Sequence, residues 1–324
     1  MNKLQRSWQL FKTSLVVMRR DKRLLLFPVI TAVCTFLIAV VFLVPVAFQS
    51  TGYSYTSAEH WEAVGNSLYG PASAEAPSAE SDGTTSGAAA HHAQSGGVRP
   101  LAVGYFAFIY FVSMFTATFF NVAFYKEILN ALAGEPVSIR GGLRFACSKW
   151  KSILMWTLFA GVVGYIIKAL EERFGLIGQL VLRLIGAAWS IACVFVIPVI
   201  ITEEGTSNPV TVLKKSALTL KQTWGESLIG YAGVSFGGMI LLLLSLCWLG
   251  AGVALAVVLK AYWLVAPVAL LWLVALLLWA YVLGVASQIF RCALFMYASR
   301  GSLPEPYTQE MMALAWKAKK QNRP

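Results

Sequence analysis

Apolar residues fill six stretches of the chain almost without a charge: Leu24 to Phe48, Leu101 to Phe124, Ile153 to Leu170, Leu176 to Ile201, Leu228 to Cys247 and Leu264 to Phe290. A helix of ~20 such residues, rising 1.5 Å per residue, crosses ~30 Å of hydrocarbon. The pattern predicts an all-α polytopic membrane protein with six transmembrane helices. Gly250 to Val258 is too short to span alone and reads as an outer-surface segment or an extension of the fifth helix.

Between the spans the apolar period changes. Leu4, Trp8, Phe11, Leu15 and Met18 share one helical face, as do Ile139, Leu143, Ala146 and Trp150, and Val210, Leu213, Ala217, Leu220 and Trp224. Each set predicts an amphipathic cytoplasmic helix lying at the inner membrane surface before a span. Pro136-Val137-Ser138-Ile139 leads to Trp150 fourteen positions after its proline, and Pro209-Val210-Thr211-Val212 to Trp224 fifteen after its own. The recurrence fits three parallel units, each an amphipathic helix followed by a transmembrane hairpin, although short amphipathic patterns also recur by chance. Asn208-Pro209 makes a good helix start, with a capping side chain and proline at the first helical position.

Composition sharpens this picture. Hydrophobic residues make up 58% and charged residues only 13%, against ~25% charged in soluble domains. The net charge of +11 is spread over short patches between the spans, which points to membrane orientation and not to nucleic acid. Seven Lys and Arg precede Leu24, five lie between the second and third spans, three between the fourth and fifth, and five in the tail, including Arg300. Those twenty face only Arg99, Lys168, Arg173 and Lys260 on the other side. The split predicts a multi-pass protein of the inner-membrane type with both termini in the cytoplasm, its cationic segments against anionic lipid headgroups.

The apolar stretch Leu24 to Phe48 exceeds the ~7–15 residues of a secretory signal core, so it reads as an uncleaved first helix. Residues 1–324 thus form one membrane domain, with an amphipathic helix at 1–23, an outer loop at 49–100 and a cytoplasmic tail at 299–324. Pro71 to Gly97, built from Ala, Ser, Gly, Glu and Thr, cannot bury enough apolar area to offset its ordering entropy, so the loop is expected to be largely disordered. Tyr53, Tyr55, Trp61 and Tyr69 in its first third suit the membrane interface. The five cysteines lie in or beside apolar segments and form no disulfide framework.

Residue types used in catalysis are scarce. All three histidines, His60, His91 and His92, fall in the outer loop, and the only aspartates are Asp21 and Asp82. The usual metal, aspartyl and serine mechanisms have no constellation here, so no catalytic residue, metal or cofactor is expected. His91-His92 reads as part of a solvated loop. Arg183 is the one charge clearly inside a span, within reach of Glu171 or Glu172 at the tight outer turn. An ion pair pinning the third and fourth helices outweighs a transport site. Glu203-Glu204-Gly205 reads as a solvated helix end. Small residues at four-residue spacing, Ala160/Gly164, Gly186/Ser190 and Gly233/Gly237, place helices three to five at the tight centre.

The opening Ser7-Trp8-Gln9-Leu10-Phe11-Lys12 with Ser14, then Arg20-Asp21-Lys22 and Leu25-Leu26-Phe27-Pro28, resembles a widespread uncharacterised family of bacterial six-helix membrane proteins. So do Phe120-Asn121-Val122-Ala123, the run from Ala169 to Gly178, and Ser216-Ala217-Leu218 leading to Thr223-Trp224-Gly225-Glu226. The likeness covers nearly all of the chain except the outer loop and implies architecture without an activity, the family being a domain of unknown function. The general plan is also similar to the membrane domain attached to some glycerophosphodiester phosphodiesterases, but no phosphodiesterase domain is present.

The expected function is non-enzymatic: interaction with membrane lipids, a partner protein or a second copy of the chain. The rival is a transporter or channel for a small or amphipathic solute, for which a midplane cavity lined by Arg183, Gln179 or Asn121 would speak.

Overall fold

The computed structural model of the chain describes residues 3–69, 100–203, 205, 208–223, 242–243, 245–256, 258–261, 263, 265–301 and 304–308. Helix α1 is Lys3–Arg20, and a 3-10 turn, Lys22–Leu25, joins it to α2, Leu26–Ala47. Then follow α3 (Ala58–Tyr69), α4 (Pro100–Leu132), α5 (Ile139–Ser148), α6 (Trp150–Arg173), α7 (Leu176–Ala192), α8 (Val196–Thr202) and α9 (Pro209–Thr223). The last two are α10, Ser245–Ala256, and α11, Val265–Arg300. No strand occurs among the described residues.

Five helical stretches are long and apolar enough to cross a membrane: Lys22–Ala47, Ala102–Leu132, Trp150–Arg173, Gly178–Thr202 and Val265–Ser299. They are the first, second, third, fourth and sixth of the expected spans. Most of the fifth, with Gly233, Gly237 and Trp224, lies outside the described residues, as do Glu204, His91, His92 and positions 70–99 and 309–324. Gly250 belongs to α10, which also holds Cys247, the last residue of the fifth expected span.

Contacts divide the chain into two compact units, Met1–Thr31 with Ala117–Pro324, and Ala32–Thr116. In the larger unit, burial concentrates at one end. Helix α4 has 33 residues and α11 has 36, about 50 and 54 Å of helix against ~30 Å of hydrocarbon. Leu270, Leu271, Leu277 and Leu278 in the first half of α11 are exposed, whereas Val285, Ile289, Cys292 and Ala293 in its second half are buried. Helix α6 runs the opposite way: Ile153 and Trp156 near its start are buried, Tyr165 and Ile166 near its end exposed. Bare apolar surface on these outer halves is what a hydrocarbon solvent accepts.

Helices form at all three amphipathic segments, and each buries one side against protein, while Val210 and Trp150 of the expected stripes stay exposed. Helix α1 packs along α11 and buries Thr13, Ser14, Val17 and Met18. Gly142 and Ala146 of α5 are buried, while Trp150 stays half exposed. Helix α9 packs on α6, α7, α8 and α11 through Val212, Ser216 and Leu220. An apolar stripe buries equally well against a helix or a bilayer, so the stripe alone did not fix its partner.

The fourth span also departs from expectation, because it is two helices. Helix α7 stops at Ala192 and α8 starts at Val196. Helices α6 and α7 form the expected hairpin, closed by rings more than by small residues: Trp156 and Trp189 stack with centroids 6.2 Å apart, and Phe159 lies 5.8 Å from Trp189. A Cβ on Gly164 would meet nothing within 4 Å, and one on Gly186 would make an ordinary 3.8 Å contact with Ile167.

The smaller unit is organised around a histidine. His60 in α3 is fully buried, with Nε2 2.9 Å from the Ala47 carbonyl and Nδ1 2.6 Å from Thr51 Oγ1. A carbonyl only accepts, so Nε2 carries a proton and donates it, while Nδ1 shares its hydrogen bond with the Thr51 hydroxyl. Ser57 caps α3 by accepting the His60 N–H at 3.3 Å. Tyr55 and Trp61 set ring edges against the imidazole, and Tyr105 Oη donates to the Phe42 carbonyl at 2.6 Å. The sequence reading gave these aromatics an interfacial place and foresaw no helix at Ala58–Tyr69.

Candidate functional site: a polar collar at one end of the larger unit

Glu127 lies on the second half of α4 with 1% of its surface exposed. Its Oε2 accepts the Ser138 N–H at 2.6 Å, and its Oε1 faces Asn130 Nδ2 at 3.4 Å. Ser138 is the N-cap of α5, its hydroxyl accepting the Gly141 N–H at 3.2 Å. The carboxylate therefore meets the positive end of the α5 dipole, where a negative charge is stabilised. A Cβ at Gly142 would stand 2.9 Å from the Ala123 carbonyl and 2.9 Å from Glu127 Cγ, so only glycine lets α5 seat against α4.

The same junction ties in the N-terminal segment. Arg23 Nη1 donates to the Val137 carbonyl at 3.0 Å, and Phe27 stacks on Phe124 at 5.5 Å. Tyr281 Oη of α11 donates to the Leu25 carbonyl. Ser14 of α1 and Tyr307 beyond α11 join hydroxyls at 2.8 Å in a buried contact. Burial pushes the Tyr307 phenol well above its usual range despite the Ser14 hydrogen bond, so it stays a neutral hydroxyl.

A second knot forms where α8 ends. Lys149, between α5 and α6, donates to the Glu203 carbonyl at 2.6 Å, and Lys215 of α9 pairs with the Glu203 carboxylate at 2.6 Å. Two ammonium groups thus sit at the negative end of α8. Nearby, the buried Ser216 hydroxyl of α9 closes the break between α7 and α8. It donates to the Ala192 carbonyl at 2.5 Å and accepts the Phe195 N–H at 3.1 Å, replacing helical bonds that a broken span loses and that lipid cannot replace. Ser216→Ala should lower stability by about 1–2 kcal/mol, because it orphans a buried N–H. Thermal unfolding of the purified variant checks this; an unchanged melting temperature would remove Ser216 from the role.

Arg183 lies apart from the collar, on the first half of α7, its Nε donating to Glu171 Oε1 at 3.0 Å. The two side chains are 69% and 34% exposed, so the pair closes the α6–α7 turn at the surface and contributes little by itself. Among the described residues no hydrogen bond joins Glu172, Gln179 or Asn121 to it. Sequence reading passed over Glu127 and gave Ser14 and Ser216 no role beyond their place in the family resemblance. A single carboxylate late in an apolar helix resembles a solvated end, and a serine within an amphipathic helix resembles its polar face; the one available signal was Ser138 directly before Ile139, the start of α5.

These helices define a multi-pass α-helical membrane protein. Residues 101–304 match a family of unknown function (DUF6159), and the chain belongs to that family. The matched stretch contains Glu127, Gly142, Ser216 and Glu203, but not the N-terminal motif from Ser7 to Pro28. Comparison with curated proteins and with solved structures gave no match.

Proposed function

We propose that this protein is a non-enzymatic component of the bacterial cytoplasmic membrane, with both termini inside, acting through contacts with lipid or with partner proteins, a second copy included. The observation that carries this reading is the collar. Hydrogen bonds draw together the α1 segment, the α4–α6 connector, the α8–α9 connector and the stretch after α11. These segments and the helix turns adjoining them carry sixteen of the twenty-one Lys and Arg among the described residues, from Lys3 to Arg300. Cations gathered at one end resist translocation and mark the cytoplasmic side.

Six crossings would place both ends on the cytoplasmic side, and five of the six expected spans are long apolar helices among the described residues. A reporter fused after Pro324 should be active only when it is a type that works in the cytoplasm. Activity of an exported reporter at that position would overturn the orientation.

The rival reading, a transporter, draws on the break within the fourth span and on Thr157 Oγ1 of α6, buried without a hydrogen-bond partner among the described residues. Broken helices build solute sites when their freed backbone groups face a cavity. Here Ser216 occupies those groups, which favours the packing role.

A further inference from the structure

We propose that the corner between α5 and α6 is a binding site for the phosphate of an anionic phospholipid in the leaflet facing the collar, built from Arg144, Lys151 and Trp150 with Lys126 and Lys149 behind them. The inference rests on the cytoplasmic-membrane reading above and names the site through which lipid is engaged.

Position comes first. Trp150 opens α6 and is 50% exposed, and the bare apolar surface of that helix begins at Met155, 48% exposed. Five residues of helix rise about 7.5 Å, so Trp150 and Lys151 stand at headgroup depth, where indole rings and lysines concentrate. Charge comes second. Residues 136–151 carry Arg140, Arg144, Lys149 and Lys151 and no carboxylate. Arg140 and Arg144 are exposed, four residues apart on one helix, an arrangement that is mildly repulsive without an anion. Neither takes part in the two ion pairs among the described residues, Arg183–Glu171 and Lys215–Glu203.

Rigidity comes third. Phe145 holds two ammonium groups on its ring, Lys126 at 5.4 Å and Lys149 at 5.9 Å, and Trp150 holds Lys151 at 5.8 Å. The helix beneath them is locked by Glu127 and by the close seat of Gly142. The three ammonium groups are therefore held on rings, Arg144 directly precedes Phe145 in α5, and an arginine fork together with ammonium groups is what a phosphate diester accepts.

The test uses the purified full chain in a neutral detergent, titrated with phosphatidylglycerol or phosphatidylcholine, with bound lipid counted by native mass spectrometry. Wild type should bind phosphatidylglycerol in preference. The double variant R144Q/K151Q should weaken that binding on the order of twentyfold, about fivefold per charge, with its lipid-free melting temperature unchanged because both side chains are exposed. R19Q/R20Q, the control at the end of α1, should retain the preference. Wild type that binds both lipids equally would sink the headgroup reading together with the site. A preference that survives in R144Q/K151Q but disappears in R19Q/R20Q would overturn the site alone. Displacement of the lipid by millimolar inorganic phosphate would make this a soluble-phosphate site and overturn the lipid assignment.

Discussion

Glu127→Ala should lower the apparent melting temperature of the purified protein by about 4–8 °C and free α5 from α4. The variant removes the acceptor of the buried Ser138 N–H, held at 2.6 Å, and a hydrogen bond to a charged group contributes about 1.5–3 kcal/mol, with a further cost for the donor left unpaired. Each kcal/mol moves the midpoint by about 2–4 °C in chains of ~150–250 residues, and by the lower end of that range in a longer one. Glu127→Gln keeps an oxygen to accept the same N–H and should lose less than half as much. Amide hydrogen exchange of α5 reports the local change: it should accelerate in Glu127→Ala and stay near wild type in Glu127→Gln. Equal losses in the two variants would mean that bulk, and not the hydrogen bond, matters at this position.

Gly142→Val should be at least as damaging. A first carbon there already stands 2.9 Å from the Ala123 carbonyl and 3.2 Å from the Phe27 ring. Main chain cannot move aside as a side-chain tip can, so α5 must lift off. Overpacking of this kind costs about 1–3 kcal/mol, and lifting α5 also forfeits the Glu127 bond. The internal control is Gly164→Ala, where open space surrounds the new carbon; its melting temperature should equal or slightly exceed wild type, since alanine is the better helix former by ~1 kcal/mol. Comparable destabilisation at both glycines would contradict the close approach of α4 and α5.

The two positions show how far sequence could reach. Gly164 was singled out because it stands four residues from Ala160, yet it meets no neighbour, and Gly142 drew no notice although it is where two helices touch. Spacing registers which residues share a face; it does not register what arrives opposite that face. Arg183 and Glu171 were legible as partners because a tight turn of known length separates them and fixes their distance. Glu127 and Ser138, eleven residues apart around a loose connector, had no such constraint.

The sequence by itself determined that this is a helical protein of the membrane, because uncharged runs of this length have no other solvent. It also determined which segments are cationic and where α5 and α9 begin, since caps and periodicity are local. Only the tertiary structure decided which side of α1, α5 and α9 packs against protein, that the fourth span is broken and closed by Ser216, and that the connectors meet in one collar. Those outcomes depend on donors and acceptors meeting across residues far apart in the chain, as Ser14 does with Tyr307, and no pattern of one to four residues carries that information.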